Sequence, residues 1–70
     1  MEQYMEQYKM LICAIIDRAL KEVRYGNRTD AKDAMKFLES GYFEDMADVL
    51  KLESSRIRQM AEDMFEKRNI

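Results

Sequence analysis

The sequence predicts an all-α protein, a small four-helix domain. Three observations carry that expectation. The chain has two glycines and no proline in 70 residues, so almost nothing interrupts a helix. Apolar side chains recur at three- and four-residue intervals along most of its length. No four-residue stretch alternates polar and apolar residues with the β-branched enrichment that a half-buried strand shows. With 47% hydrophobic and 37% charged residues, both core and surface are well supplied, which excludes the composition of a disordered segment. Residues 1–70 contain no linker-like stretch, and a chain this short removes only about 60% of its unfolded surface on folding, so one domain is expected.

The first helix is expected over 3–25. Its apolar series Tyr4, Tyr8, Leu11, Ile12, Ile15, Ile16, Ala19, Leu20 and Val23 keeps the 3.6-residue period, while Asp17 with Lys21 and Arg18 with Glu22 form i,i+4 pairs on the wetter side. Gly26 and Asn27 tolerate a left-handed helix end. A second helix over 30–39 starts from Thr29 or Asp30 as cap, buries Ala31, Ala34, Met35 and Leu38, and stops at Ser40-Gly41. A third, over 43–50, turns Phe43, Met46, Ala47 and Leu50 inward. Residues 51–54 break the period, and their serines cap a fourth helix over 55–67 carrying Ile57, Met60, Ala61, Met64 and Phe65. The expected core is Leu11, Ile12, Ile15, Ile16, Leu20, Met35, Leu38, Met46, Ala47, Leu50, Leu52, Ile57, Met60 and Met64.

Several chemistries are excluded by residue type. The single cysteine permits no intrachain disulfide and no thiolate metal cluster, and the absence of histidine removes the commonest acid-base group and metal ligand near neutral pH. Cys13 lies in the most apolar turn with no histidine to activate it, so it is expected to be a buried structural thiol. The carboxylate pairs Asp30/Asp33 and Glu62/Asp63 read as helix-end and surface charge, so no catalytic residue, metal or cofactor is expected. The longest apolar run, residues 10–16, is about a third of a membrane span, and no signal-peptide pattern opens the chain. A reducing, cytoplasmic setting with no membrane partner follows as the expectation. The net charge of −2 and pI near 5.1 do not advertise nucleic-acid binding, which depends on where the charges sit.

One window carries a functional pattern. From Phe43 to Glu62, the residues Met46, Ala47, Leu50, Leu52, Ile57 and Met60 fall at positions 4, 5, 8, 10, 15 and 18 of twenty. A small residue where two helices cross, apolar residues on the inner face of the first, one apolar plug in a tight turn and two inward residues on the second make up this spacing. It resembles the helix-turn-helix motif of phage and bacterial repressors. Lys51 departs from the pattern, because family members often carry glycine there, where the backbone tends to the left-handed region. The wider stretch 31–60, with Phe37-Leu38, Ser40, Phe43-Glu44, Leu50, Leu52 and Arg56, also looks loosely like small phage-encoded regulators.

The resemblance implies double-stranded DNA as partner and transcription regulation as the role, with the second helix of the motif lying in the major groove. The positions it matches to base reading are Ser54, Ser55, Arg56, Arg58 and Gln59. An arginine can grip guanine O6 and N7, and a glutamine can do the same with adenine. Lys51, Arg28 and Lys32 are suited to phosphate, which positions a binder without reading sequence. The centre of the first helix is apolar on every side, so either the other helices wrap it or a homodimer covers it through Tyr4, Tyr8, Leu11 and Ile15. The alternative function is an acidic helical module that binds a host or phage protein, with Glu39, Glu44, Asp45 and Asp48 as its contact surface.

Overall fold

A computed structural model describes residues 2–68, with side chains from residue 5 onward. The described residues form four helices and no strand: α1 (Glu2–Tyr25), α2 (Arg28–Leu38), α3 (Gly41–Val49) and α4 (Ser54–Arg68). None is long and apolar enough to cross a membrane.

The helix ends differ from expectation in informative ways. The cap of α2 is Asn27, whose side chain accepts a hydrogen bond from the Asp30 backbone N–H at 2.8 Å, so Thr29 and Asp30 lie inside the first turn instead of before it. Gly26 and Asn27 form no left-handed terminus, since no glycine has positive φ and Asn27 is extended. Gly26 is needed for space: a Cβ there would stand 2.6 Å from the Glu22 carbonyl oxygen. The turn between α1 and α2 is therefore only two residues long, and the helices fold back on each other. Ser40 both ends α2 and begins α3, its Oγ donating to the Phe37 carbonyl at 2.6 Å and accepting from the Phe43 N–H at 3.4 Å. Ser54 and Ser55 sit within α4, where the Arg56 and Ile57 N–H groups reach back to the Glu53 carbonyl, so the serines do not precede the helix as caps.

The core gathers Ile12, Ile16, Ala19 and Val23 of α1, Ala34 and Leu38 of α2, Phe43 and Ala47 of α3, and Ala61 of α4. Ile12, Ile16, Ala19 and Val23 follow one stripe of α1. The buried alanines let helix backbones approach closely. Leu20, Met35, Met46, Leu50, Ile57 and Met64 pack against this cluster half-buried, as does Ile15 in degree of exposure. Three residues expected inside are exposed: Leu11, Leu52 and Met60. Met60 lies about 100° around α4 from Ala61, off the inward line of Ile57, Ala61 and Met64. Leu52 stays at the rim of the turn instead of plugging the core. Leu11 and Cys13 flank the buried Ile12 and face away from it. Leu11 stands in solvent, and Cys13, expected to be buried, is exposed on the rim of a groove shared with Leu50 and Leu52, while the N-terminal half of α1 before them projects past α2.

That half of α1 is a consequence of length. The helix has 24 residues and α2, returning antiparallel, has 11, so α2 can cover only the C-terminal half. The molecule is accordingly elongated, 47 × 20 × 15 Å. The described helices cover one face of the apolar centre of α1, burying Ile12 and Ile16, and leave Met10 and Leu11 in solvent together with Met5 and Tyr8 before them.

Candidate nucleic-acid interface

The site is built from the segment joining α3 to α4. Val49 ends α3, Leu50 caps it, and Lys51 adopts φ 57°, the only positive φ among the described non-glycine residues. Two hydrogen bonds close the turn, Lys51 N–H to the Asp48 carbonyl at 3.0 Å and Leu52 N–H to the Ala47 carbonyl at 2.8 Å. This is the left-handed helix terminus that glycine ordinarily supplies, with lysine in its place. The left-handed conformation costs a residue with a Cβ roughly 1–2 kcal/mol. Lys51→Gly is therefore expected to stabilise the fold by about 1 kcal/mol, which in a domain of this size raises the melting temperature by roughly 4–8 °C. Thermal unfolding followed by circular dichroism measures it, and an unchanged or lowered melting point would show that the turn carries no such strain.

The turn reverses the chain into α4 and leaves the first turns of α4 facing outward. Ser55, Arg56 and Gln59 are exposed and Ser54 is half-buried. Lys51, Leu52, Glu53, Arg56 and Ile57 line one shallow groove, so the two cations Lys51 and Arg56 are brought together at the start of α4. Gln59 donates from Nε2 to Asp63 Oδ1 at 3.3 Å, a weak surface bond that a base edge can displace.

Arg58 is elsewhere. Its Nε donates to the Leu38 carbonyl at 2.6 Å, its Nη2 to the Ser40 carbonyl at 3.3 Å and its Nη1 to Glu44 Oε1 at 2.9 Å, with the guanidinium 5.7 Å from the centre of the Phe43 ring. The side chain is 23% exposed. It caps the C-terminal carbonyls of α2 and ties α4 to the α2–α3 junction, so its expected role as a base reader is corrected to a structural one.

Arg68 forms a second clamp that the sequence reading did not anticipate. Its Nη1 donates to the Val23 carbonyl at 2.6 Å and the Glu22 carbonyl at 3.3 Å, and its Nη2 bonds the Gly26 carbonyl. The two clamps fix the direction of α4: it starts at the C-terminal end of α2 and finishes beside the α1–α2 turn. Arg58 and Arg68, ten positions apart, are separated by about 15 Å along the helix. Arg28, the first residue of α2, and Lys32, one turn on, are exposed at that far end. Of the expected phosphate contacts, only Lys51 adjoins the reading positions, and Arg28 and Lys32 form a separate group.

The surroundings are acidic. Glu62, Asp63 and Glu66 are exposed on α4 beyond Gln59, and Glu44, Asp45 and Asp48 are exposed on α3. Arg58 neutralises only Glu44 among these. Among the described residues, no group of three or more potential metal ligands occurs. The side chain of Tyr4, one of the expected dimer residues, lies outside the described residues; Tyr8 and Leu11 are exposed and Ile15 half-buried. Comparison with known proteins returned no matching family model, no matching curated protein and no matching solved structure.

Proposed function

We propose that the chain is a helix-turn-helix DNA-binding domain of the transcription-regulating, phage or prophage kind, reading base edges with Ser55, Arg56 and Gln59 and holding phosphate with Lys51. The observation that carries this reading is the left-handed turn at Lys51, which joins α3 and α4 by four residues and sets Lys51 and Arg56 on one groove at the start of an exposed helix. The strained residue of the turn is itself a cation, which supports a phosphate-holding role at the start of α4. With so few cations at the site, binding is weak: the one phosphate contact, Lys51, gives a slope of about −1 in log affinity against log salt.

Selection from a random duplex library at about 0.1 M salt, followed by anisotropy titrations from about 50 mM upward, tests the reading. Arg56→Ala is expected to lose about 1–3 kcal/mol on the selected duplex and far less on random sequence. Lys51→Gly, although more stable, should bind both duplexes more weakly and flatten the salt slope by nearly one unit. No binding by the folded parent at the lowest salt would overturn the DNA mechanism.

A second reading has its own support. Glu39, Tyr42, Glu44, Asp45 and Asp48 are all exposed, with no basic residue between 39 and 48. Tyr42 is 77% exposed in that acidic field, the arrangement of an interface anchor for a basic protein surface. This reading replaces the first if selection returns no DNA.

A further inference from the structure

The N-terminal half of α1 carries, beside the buried Ile12, an apolar face that none of the described residues covers. Met5, Tyr8 and Leu11 are 54%, 51% and 59% exposed, and Ile15 is half-buried where the cover from α2 ends. Tyr8, Leu11 and Ile15 are spaced by three and four residues, so at 3.6 residues per turn they fall within about 60° of one another. This is the spacing of a coiled-coil seam. Beyond Ile15 the line continues to Arg18 and Glu22, which bond each other at 3.4 Å and border the groove between α1 and α2 together with Asp33 and Phe37. The seam is free on one half of α1 and bordered by α2 on the other.

We infer that a second copy of this chain covers the free half, the two α1 helices running antiparallel with Tyr8 of each packed on the partner's Leu11. Self-complementarity favours this occupant: Tyr8 and Leu11 are symmetric about a point between Lys9 and Met10, so one two-fold axis sets aromatic against aliphatic twice. Charge favours it as well. The exposed positions flanking the seam are Met5, Gln7 and Ala14, all uncharged, Ile12 on the remaining side being buried in the core, while Glu6, Lys9 and Met10 fall on the outer side. Flanking charges ordinarily select a different partner or register, and here there are none to oppose self-pairing. A parallel, in-register pair would set Arg18 against the partner's Arg18 and drive α2 into the partner's α2. The antiparallel pair uses only the projecting halves. It buries on the order of 1,000 Å², at the low end for specific association, and a dissociation constant in the micromolar range is expected.

The inference is independent of the DNA reading and is tested without DNA. Sedimentation equilibrium of the full chain from about 5 to 200 µM should show mass rising from 8.4 kDa toward twice that value. Leu11→Glu should hold the chain monomeric, and because Leu11 is exposed the variant keeps its fold, as circular dichroism would report. Met10→Glu, on the opposite side and 72% exposed, should dimerise like the parent. A parent that stays at 8.4 kDa throughout, or a Met10→Glu chain as monomeric as Leu11→Glu, overturns the proposal. Orientation is read from mixing Gln7→Cys and Ala14→Cys chains, each also carrying Cys13→Ala, under mild oxidation. A mixed 7–14 disulfide is expected; disulfides joining two residues 7 in its place would overturn the antiparallel arrangement.

Discussion

Replacing Phe43 by alanine is expected to remove most of the stability of the domain. The ring is fully buried, meets Phe37 edge-on at 6.1 Å between centroids and carries the Arg58 guanidinium over its face. Truncating a buried phenylalanine costs about 3–5 kcal/mol, while a domain of this length holds roughly 0.05–0.15 kcal/mol per residue in total. The variant should therefore lose its cooperative thermal transition or show it shifted down by well over 10 °C in circular dichroism. A shift of only a few degrees would mean that the core is not organised around this ring.

Arg58→Ala is expected to have the next largest effect, on folding first. Three hydrogen bonds would be lost, two of them to carbonyls at the end of α2, and Glu44 would lose its ion pair. Charge-assisted bonds of this kind make the expected loss about 2–3 kcal/mol, or roughly 10–20 °C in melting temperature. Arg58→Lys should recover little, because one ammonium group cannot reproduce the planar fork that reaches three acceptors. Arg56→Ala should leave the melting temperature almost unchanged, since exposed substitutions away from such contacts stay within about 0.5 kcal/mol. The pair separates the two arginines cleanly: equal stability of Arg58→Ala and Arg56→Ala would dissolve the clamp.

The contrast between these neighbours shows what periodicity reveals and what it hides. The 3.6-residue pattern places all four helices and their inward faces, because burial of one face is a repeated, local signal, as with Ile12 and Ile16. The expected core nonetheless leaves out Ala19, Val23, Ala34, Phe43 and Ala61, which are buried. The left-handed residue at position 51 was legible from its place in the turn. Arg58 is not legible in this way, because a charged residue type suggests exposure while the side chain is mostly covered. Its position about 60° from Ala61 on α4 sets it at the edge of the buried face, which was the available signal. Arg68 offered no such hint, since what it bonds, the carbonyls of Glu22, Val23 and Gly26, lies more than forty residues away. The exposure of Leu11 and Cys13 depends on which face of α1 the other helices take, here that of the intervening Ile12, and a stretch apolar on every side does not specify that face.

The two arginine clamps also add polar ties between α4 and the ends of α1 and α2, beyond the apolar packing of Ile57, Ala61, Met64 and Phe65. An isolated helix frays from its C-terminal turn, where the last carbonyls lack partners. Here the last turn of α1 is closed by Arg68 and that of α2 by Arg58, both from one helix. Amide protons near these two helix ends should therefore exchange with deuterium at a common rate set by detachment of α4, while those in the projecting half of α1 exchange independently and faster. The smallest unit that opens would then be a whole helix leaving, and the domain would have two dynamic bodies of unequal size: a latched three-helix return and a free spar.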